Sequence, residues 1–449
     1  MEARHQTWAT SDRFVPRTFI RPFVKFSQLE ASSGIAILVA ALIALIIANS
    51  PWSETYFSVL EEHLHITFFG WEFEISVLHF INDALMTLFF FVVGLEIKRE
   101  AVLGDLRDPK AAALPVIAAL GGMIVPAVIY TLFNGGTDAA SGWGIPMATD
   151  IAFAVGVVTL LGKRVPAAAK LFLLAVAVAD DIGAIAVIAI FYTGDVRFNY
   201  LIGALIGLFL VWLAGRAHIR SMAFYVPVAV VIWYFAYRSG VHATLTGVAL
   251  GFLTPARPYY RPKEFDRRAR AILDQFRVDD ETSEEEAIEH AEHEIRLLSE
   301  ISRETIAPLN RLEHRLAPWS SFLVVPLFAL ANAGVDFRGV NVLDSFTSKV
   351  ALGVAIGLLV GKTIGISLFS WLAVRIGLGR LPGEVSWRHI VGLAAVGGIG
   401  FTVALFVTGL AFDDPATTDL AKTGIFAGSL VAGVLGAMVL RMAGGKTES

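Results

Sequence analysis

Two aspartates stand side by side in the middle of an apolar run of membrane-crossing length. Asp180 and Asp181 lie within LFLLAVAVADDIGAIAVIAI at 171–190. An ionised carboxylate at a bilayer centre costs about 2.5–3.5 kcal/mol on insertion scales. A helix that needs only apolar residues does not carry two such groups without a use. A buried carboxylate can hold a proton or help to coordinate a cation. Asp150 and Lys362 also fall inside apolar runs. Left unpaired, the four charges would cost on the order of 10 kcal/mol, which rivals the net stability of a typical domain, about 5–15 kcal/mol. They must share a hydrated cavity, pair with one another, or both. A purely stabilising ion pair is the plainer reading, but three acids and one base leave excess negative charge. Helical neighbours point about 100° apart, so Asp180 and Asp181 cannot chelate one ion symmetrically. One can face a wet passage while the other faces a partner across the bundle, and Lys362 is the obvious partner.

The segments that carry these residues look interrupted. GIPMATDIAF at 144–153 and GGIGFT at 397–402 each put glycine or proline inside an apolar span. A glycine costs a helix about 1 kcal/mol relative to alanine, so Gly397, Gly398 and Gly400 invite a break. Close packing against a neighbouring helix is the alternative use for such glycines. Unwound backbone at mid-membrane survives only inside protein or along a water cavity. The suspect segments occupy corresponding positions in spans 3–5 and 10–12, the mark of an inverted repeat. If the broken spans cross, like helix ends face each other. Asp150 could then neutralise a positive pair of ends and Lys362 a negative pair.

The chain has 449 residues, 55% of them hydrophobic and 17% charged, against about 25% charged in soluble domains. This composition implies an all-α polytopic membrane protein in contact with the lipid bilayer. Twelve spans are expected near 32–49, 77–95, 112–133, 145–161, 168–192, 200–214, 223–237, 241–254, 319–333, 350–374, 388–411 and 423–441. A net charge of −4 implies no attraction to nucleic acid, and the absence of cysteine removes disulfides and thiolate chemistry. Residues 1–31 hold Arg4, Arg13, Arg17, Arg21 and Lys25 without an apolar core, unlike a secretory signal. Arg and Lys alternate from loop to loop so that both termini are expected in the cytoplasm. The resulting layout is a cytoplasmic segment 1–31, spans 1–8 over 32–254, a charged cytoplasmic loop 255–318, spans 9–12 over 319–442, and a cytoplasmic tail 443–449.

Two connections are longer than the rest. Alternation around Gly70 between Leu64 and Ile75 predicts a small external β-hairpin in the loop 50–76. A lone hairpin is marginal, so it either pairs with a second subunit or folds over its own protomer. The loop 255–318 is first rich in Arg and then acidic from Asp279 to Glu294. Ile288, Ile295, Leu298 and Ile301 fit one surface helix, and a solvated linker fits the same composition.

The motifs together resemble the NhaA family of bacterial sodium/proton antiporters. They are INDALM at 81–86, VGLEIKRE at 93–100, MATDIAF at 147–153, ADDIGAI at 179–185, SGVHATL at 239–245, PLFALANAGV at 326–335, GKTIGI at 361–366 and GIGFT at 398–402. Each alone is weak, but in this order they are specific and span nearly the whole chain. Inverted repeats with two broken helices crossing at mid-membrane are a property of that family, so the resemblance supplies this architecture rather than an independent derivation. It implies electrogenic export of internal Na⁺ or Li⁺ against external H⁺, activation at alkaline pH, no cofactor, the bacterial inner membrane, and a homodimer through the hairpin. By motif position, Asp181 resembles the main cation ligand and proton carrier, with Asp180 its partner in exchange with Lys362. Na⁺ would sit at Asp181, Asp180 and Thr149. Asp150 and Thr149 resemble residues at the crossing. Glu96, Glu100, His242, Glu313 and His314 match positions tied to pH response. Asp83 is near the outer end of the second span, where it either lines the external passage or caps a helix. The chain departs from the family in its long loop before span 9, in Ala317 where a second histidine is expected, and in Thr363 where proline is common.

Three other classes compete. An intramembrane aspartyl protease would carry Gly-x-Gly-Asp, whereas Asp180 follows Ala179. A passive channel would need charge rings from several subunits. A sodium-coupled symporter of an organic solute would want a larger polar pocket than two aspartates, a threonine and a lysine provide.

Overall fold

A computed structural model describes residues 32–443 except 69–70, 218, 220, 276–283 and 339–340. The expected cytoplasmic ends, 1–31 and 444–449, lie outside the described residues. In chain order the elements are α1 (Ser32–Ala48), α2 (Ser53–Glu61), β1 (His63–Phe68), β2 (Trp71–Ser76), α3 (Val77–Val102) and α4 (Pro109–Asn134). A broken span follows, with a 3₁₀ half α5a (Asp138–Met147) and an α-helical half α5b (Ile151–Leu160). Next are α6 (Ala167–Phe191), α7 (Phe198–Arg216), α8 (Met222–Ser239), α9 (Thr244–Leu253), α10 (Pro262–Gln275) and α11 (Glu284–Thr305). The helix α12 covers 308–332, Pro308–Trp319 and Val325–Asn332 being joined by a π turn. A short α13 (Val342–Thr347) leads into α14 (Lys349–Arg375). The second broken span has halves α15a (Trp387–Val396) and α15b (Phe401–Ala411), and α16 (Pro415–Ala443) closes the fold.

Among the described residues, seven helices are long and apolar enough to cross a membrane. The broken spans bend by 42° and 48° at their interruptions. The remaining expected spans correspond to α1, α9 and the second half of α12. The fourth span starts at Asp138 rather than near 145, since Gly142, Gly144 and Pro146 suit a tight 3₁₀ turn better than an α-helix. The last span begins at Pro415 rather than 423.

The triplets α4–α5–α6 and α14–α15–α16 repeat the order long helix, broken helix, long helix. They pack together as one group, and α1, α3, α7, α8, α9 and α12 form a second. The two long helices α4 and α14 touch most closely at glycines. A Cβ at Gly365 would lie 2.1 Å from the carbonyl oxygen of Gly121, so only small residues permit this approach. Leu, Ile and Val side chains on α1, α7 and α8 are exposed, Ile46 by 67% and Val226 by 58%. Such an apolar exterior is the expected face toward lipid.

The hairpin is present as expected, with His63 opposite Ser76 and Leu64 opposite Ile75 in an antiparallel register. A helix, α2, precedes it, and its polar–apolar mixture hid it in the sequence. In the long loop, α10 and α11 pack on each other, where the sequence suggested one helix. Most of the acidic run 279–294 lies outside the described side chains. The Leu309 N–H donates to the Pro255 carbonyl at 3.1 Å, so the ends of this insertion meet. Below, this side of the molecule is called the insertion face and the opposite side the hairpin face.

Candidate functional site

The two interruptions meet and are stitched together by their own backbone and side chains. Ala148 is extended and Asp150 takes an N-cap conformation before α5b. The Asp150 N–H donates to the Ile399 carbonyl at 2.6 Å, and the Thr149 hydroxyl donates to the Gly397 carbonyl at 2.8 Å. One Asp150 carboxylate oxygen accepts from the Phe153 N–H at 3.2 Å. The other accepts from the Thr402 N–H at 3.1 Å and the Thr402 hydroxyl at 2.5 Å. A single carboxylate therefore serves the N-terminal ends of α5b and α15b, where orphan N–H groups and helix dipoles favour negative charge. The glycines serve close approach as well as the break. A Cβ at Gly398 would lie 2.4 Å from the Leu358 carbonyl oxygen.

Beside this crossing stand the two central helices that carry the other charges. A π turn at Gly357–Gly361 ends immediately before Lys362, and such turns re-aim the residues that follow. Lys362 is fully buried, and its Nζ donates to Asp180 Oδ2 at 2.6 Å. This is the carboxylate pairing considered from the sequence. A hydrogen bond between two ionised groups is stronger than one to a neutral acceptor.

Asp180 Oδ1 is buried without a hydrogen-bond partner among the described residues, and Thr149 stands next to this carboxylate. Asp181 is 8% exposed and engages no hydrogen-bond partner among the described residues. Its charged neighbours are Asp180, Glu96, Lys362 and Asp150. A buried group of oxygen-bearing side chains of this kind suits a hard monovalent cation or a proton. Among the described residues no three His, Asp or Glu side chains converge as a cage for a resident metal.

The other sequence candidates divide between the two faces. Toward the insertion face, Arg99 forms ion pairs with Glu313 and, at 3.3 Å, with Glu100. Arg99, Glu100, Glu313 and His314 line a cavity of about 1110 Å³. Glu96 has Glu313, Arg99 and Glu100 as charged neighbours and is itself a neighbour of Asp181. Glu96 thus stands near both this cluster and Asp181. Burial pushes the Glu313 carboxyl above its ordinary range, with the Arg99 guanidinium acting against that rise. His242 is elsewhere. Its Nε2 lies 2.6 Å from the Tyr192 carbonyl on the hairpin face, so the five residues do not form one cluster.

Asp83 is half-buried inside a π turn, Phe80–Leu85. Its carbonyl accepts from the Thr87 hydroxyl at 2.5 Å and the Trp233 indole at 3.2 Å. It is not a cap, because Ser76 caps this helix by accepting from the His79 N–H. Sequence reasoning missed the parts played by Thr402 and Arg99. The hydroxyl two residues after Gly400, at a helix start, was the available signal for Thr402. Nothing near Arg99 in the sequence points to Glu313.

Residues 24–440 match the family described as Na⁺/H⁺ antiporter 1. The Na⁺/H⁺ antiporter NhaA of Syntrophobacter fumaroxidans is 45% identical over 425 residues, covering 93% of this chain and 89% of that one. This chain belongs to the NhaA family. The NhaA of Koribacter versatilis is 45% identical over 423 residues, covering 94% of this chain and 91% of its own. That of Rhodopirellula baltica is 44% identical over 418 residues, with 93% of each chain covered. As a NhaA protein, the chain is a multi-pass membrane transporter that exchanges Na⁺ for H⁺ and needs no cofactor. It is not an enzyme, and in bacteria its place is the inner membrane.

Proposed function

We propose that this antiporter exports cytoplasmic Na⁺, or Li⁺, against external protons through the pocket at Asp181, Asp180 and Thr149. The observation that carries the reading is the unequal pair of neighbours: Asp180 is held by Lys362 at 2.6 Å, whereas Asp181 beside it has no hydrogen-bond partner among the described residues. A free buried carboxylate takes a proton or a cation but not both at once. Deprotonated Asp181 binds Na⁺, and protonated Asp181 releases it. Lys362, hydrogen-bonded to Asp180, gives up its own proton when Asp180 turns to the cation, which makes it a second proton carrier. The cluster titrates as a unit. Exchange of more protons than Na⁺ in each cycle makes the transport electrogenic. Asp150 keeps the helix crossing intact while the ion site turns from one face to the other.

Glu96, Glu100, Glu313 and His314 link the mouth on the insertion face to Asp181, and with them the pH response, activation at alkaline pH, enters from that side. His242 contributes from the hairpin face, where Asp83 borders the passage. The alternation of Arg and Lys supports an insertion face in the cytoplasm, with 1–31, 255–318 and 443–449 on that side and spans 32–254 and 319–442 between. A two-stranded sheet is marginal alone, which supports a homodimer formed through the hairpins. Removing residues 63–76 should then leave a monomer on size exclusion.

The decisive assay is Na⁺-induced proton release from everted vesicles without any added solute. Asp181→Asn should abolish it while the protein still inserts and folds. Wild-type release by that variant would refute the assignment, and dependence on an organic solute would redirect it to symport.

A further inference from the structure

On the hairpin face, the connection that follows α12 is tied to the first helices of its own group. Asn49 Nδ2 donates to the Val335 carbonyl at 2.8 Å, and Asn49 Oδ1 accepts from the Phe337 N–H at 2.8 Å. Arg338 donates to Ser53 Oγ at 2.6 Å. The Tyr56 hydroxyl donates to the Leu330 carbonyl at 2.6 Å, and its ring lies against Gly334. These short bonds join α1, α2 and the end of α12 into one piece.

A pair from the other helix group reaches that piece. Asp419 and Lys422, one turn apart on α16, form an ion pair at 3.4 Å. Lys422 Nζ also donates to the Gly334 carbonyl at 3.4 Å, and Asp419 faces the backbone of Asp336. The Lys422 side chain is only 15% exposed. A lysine in this position is costly unless its charge is used. The segment 334–338 is thus bound at 2.6–2.8 Å to one helix group and gripped at 3.4 Å by a lysine from the other. That asymmetry is what a releasable contact requires. Beneath it, the ring of Phe406 on α15b lies 5.2 Å from Phe90 on α3 and 6.2 Å from Phe328 on α12, filling the seam between the groups. A bridge from His242 to Tyr192 on this face sits beside the 192–197 connection that already joins the groups covalently.

We propose that Asp419 and Lys422 are the hairpin-face latch of the transport cycle. By gripping Gly334 they hold α16 against the end of α12 and keep the Phe406 seam shut while the ion site is served from the insertion face. The proposal deepens the alternating-access reading given above and rests on it.

The chain has no cysteine, so Phe406→Cys supplies a unique reporter of the seam. The probe is a charged, membrane-impermeant maleimide added on the hairpin side of sealed vesicles. In this background Lys422→Met and Asp419→Asn should each speed labelling about tenfold or more, the shift in an open–closed equilibrium expected for one lost charged hydrogen-bonded contact. Lys422→Arg should keep the slow rate. Unchanged labelling in both Lys422→Met and Asp419→Asn, in protein that inserts and melts like the parent, overturns the latch. Fast labelling in Lys422→Arg overturns it too, because the charge pair would not be what holds the seam. The contrast should persist in an Asp181→Asn background, which separates a failure of the latch from a failure of the ion assignment.

Discussion

The Lys362 ammonium and the Asp180 carboxylate meet at 2.6 Å with side-chain exposures of 0% and 3%. Removing one member of such a buried pair strands the other. Lys362→Ala should lower unfolding stability by about 3–5 kcal/mol. The double variant Lys362→Met with Asp180→Asn removes both charges and should recover most of that loss. Thermal unfolding of the purified protein in detergent measures the cycle. An additive double variant would mean that the two groups do not act as a pair.

Asp150 accepts three hydrogen bonds at the meeting of two half-helices. Asp150→Ala loses a cap and the bridge to Thr402 together, and should cost about 2 kcal/mol. Asp150→Asn keeps the shape and one acceptor, so its melting temperature should lie between those of Asp150→Ala and the parent.

Gly398→Ala would drive a methyl group toward the Leu358 carbonyl. Overpacking of this kind costs about 1–3 kcal/mol. Gly409, on α15b, has open space where a Cβ would stand. Gly409→Ala is therefore the matched control and should leave both melting and exchange unchanged. Equal behaviour of the two variants would remove close approach as the reason for Gly398.

Burial raises the Glu313 carboxyl above its ordinary value, with Arg99 opposing. The sign follows from proton counting. Between the unfolded and folded values the folded state holds the extra proton, so stability from this group is present at low pH and falls as pH rises through the folded value. Glu313→Gln cannot lose a proton. The melting-temperature advantage of the parent over Glu313→Gln should accordingly shrink as pH is raised across that window. An advantage that grows with pH would contradict the direction.

The 255–318 insertion begins and ends at one hydrogen bond, from Leu309 to Pro255. Replacing 258–305 by a short flexible linker should leave insertion and Na⁺-driven proton release intact and alter only the rate or its pH profile. Loss of transport in a normally inserted protein would give the segment an essential role.

Much of this was legible without coordinates. Asp150, Asp180, Asp181 and Lys362 stand out because charge is rare and costly inside apolar runs, and the glycines at 397–400 mark a break for an equally local reason. Asp83 was ambiguous because the π turn that carries it has no sequence signal stronger than the surrounding helix. That His242 and Glu313 lie on opposite faces is not written in their motifs, because a motif names a position along the chain and not its neighbours in space. The start of the fourth span was misjudged because a 3₁₀ half-helix lacks the period that reveals an α-helix.

The sequence by itself determined that the chain crosses a membrane many times, that its charges inside the bilayer are few, and that two of its spans are interrupted. Those follow from the transfer cost of each residue and from backbone propensity, which act locally. Only the tertiary structure decided that Lys362 takes Asp180 and leaves Asp181 without a hydrogen bond among the described residues. It also decided that Asp150 serves two helix ends at once, and that Arg99 finds Glu313 across more than two hundred residues of chain. Those outcomes depend on which helices touch and at what height, and contact between distant segments is set by packing of the whole assembly.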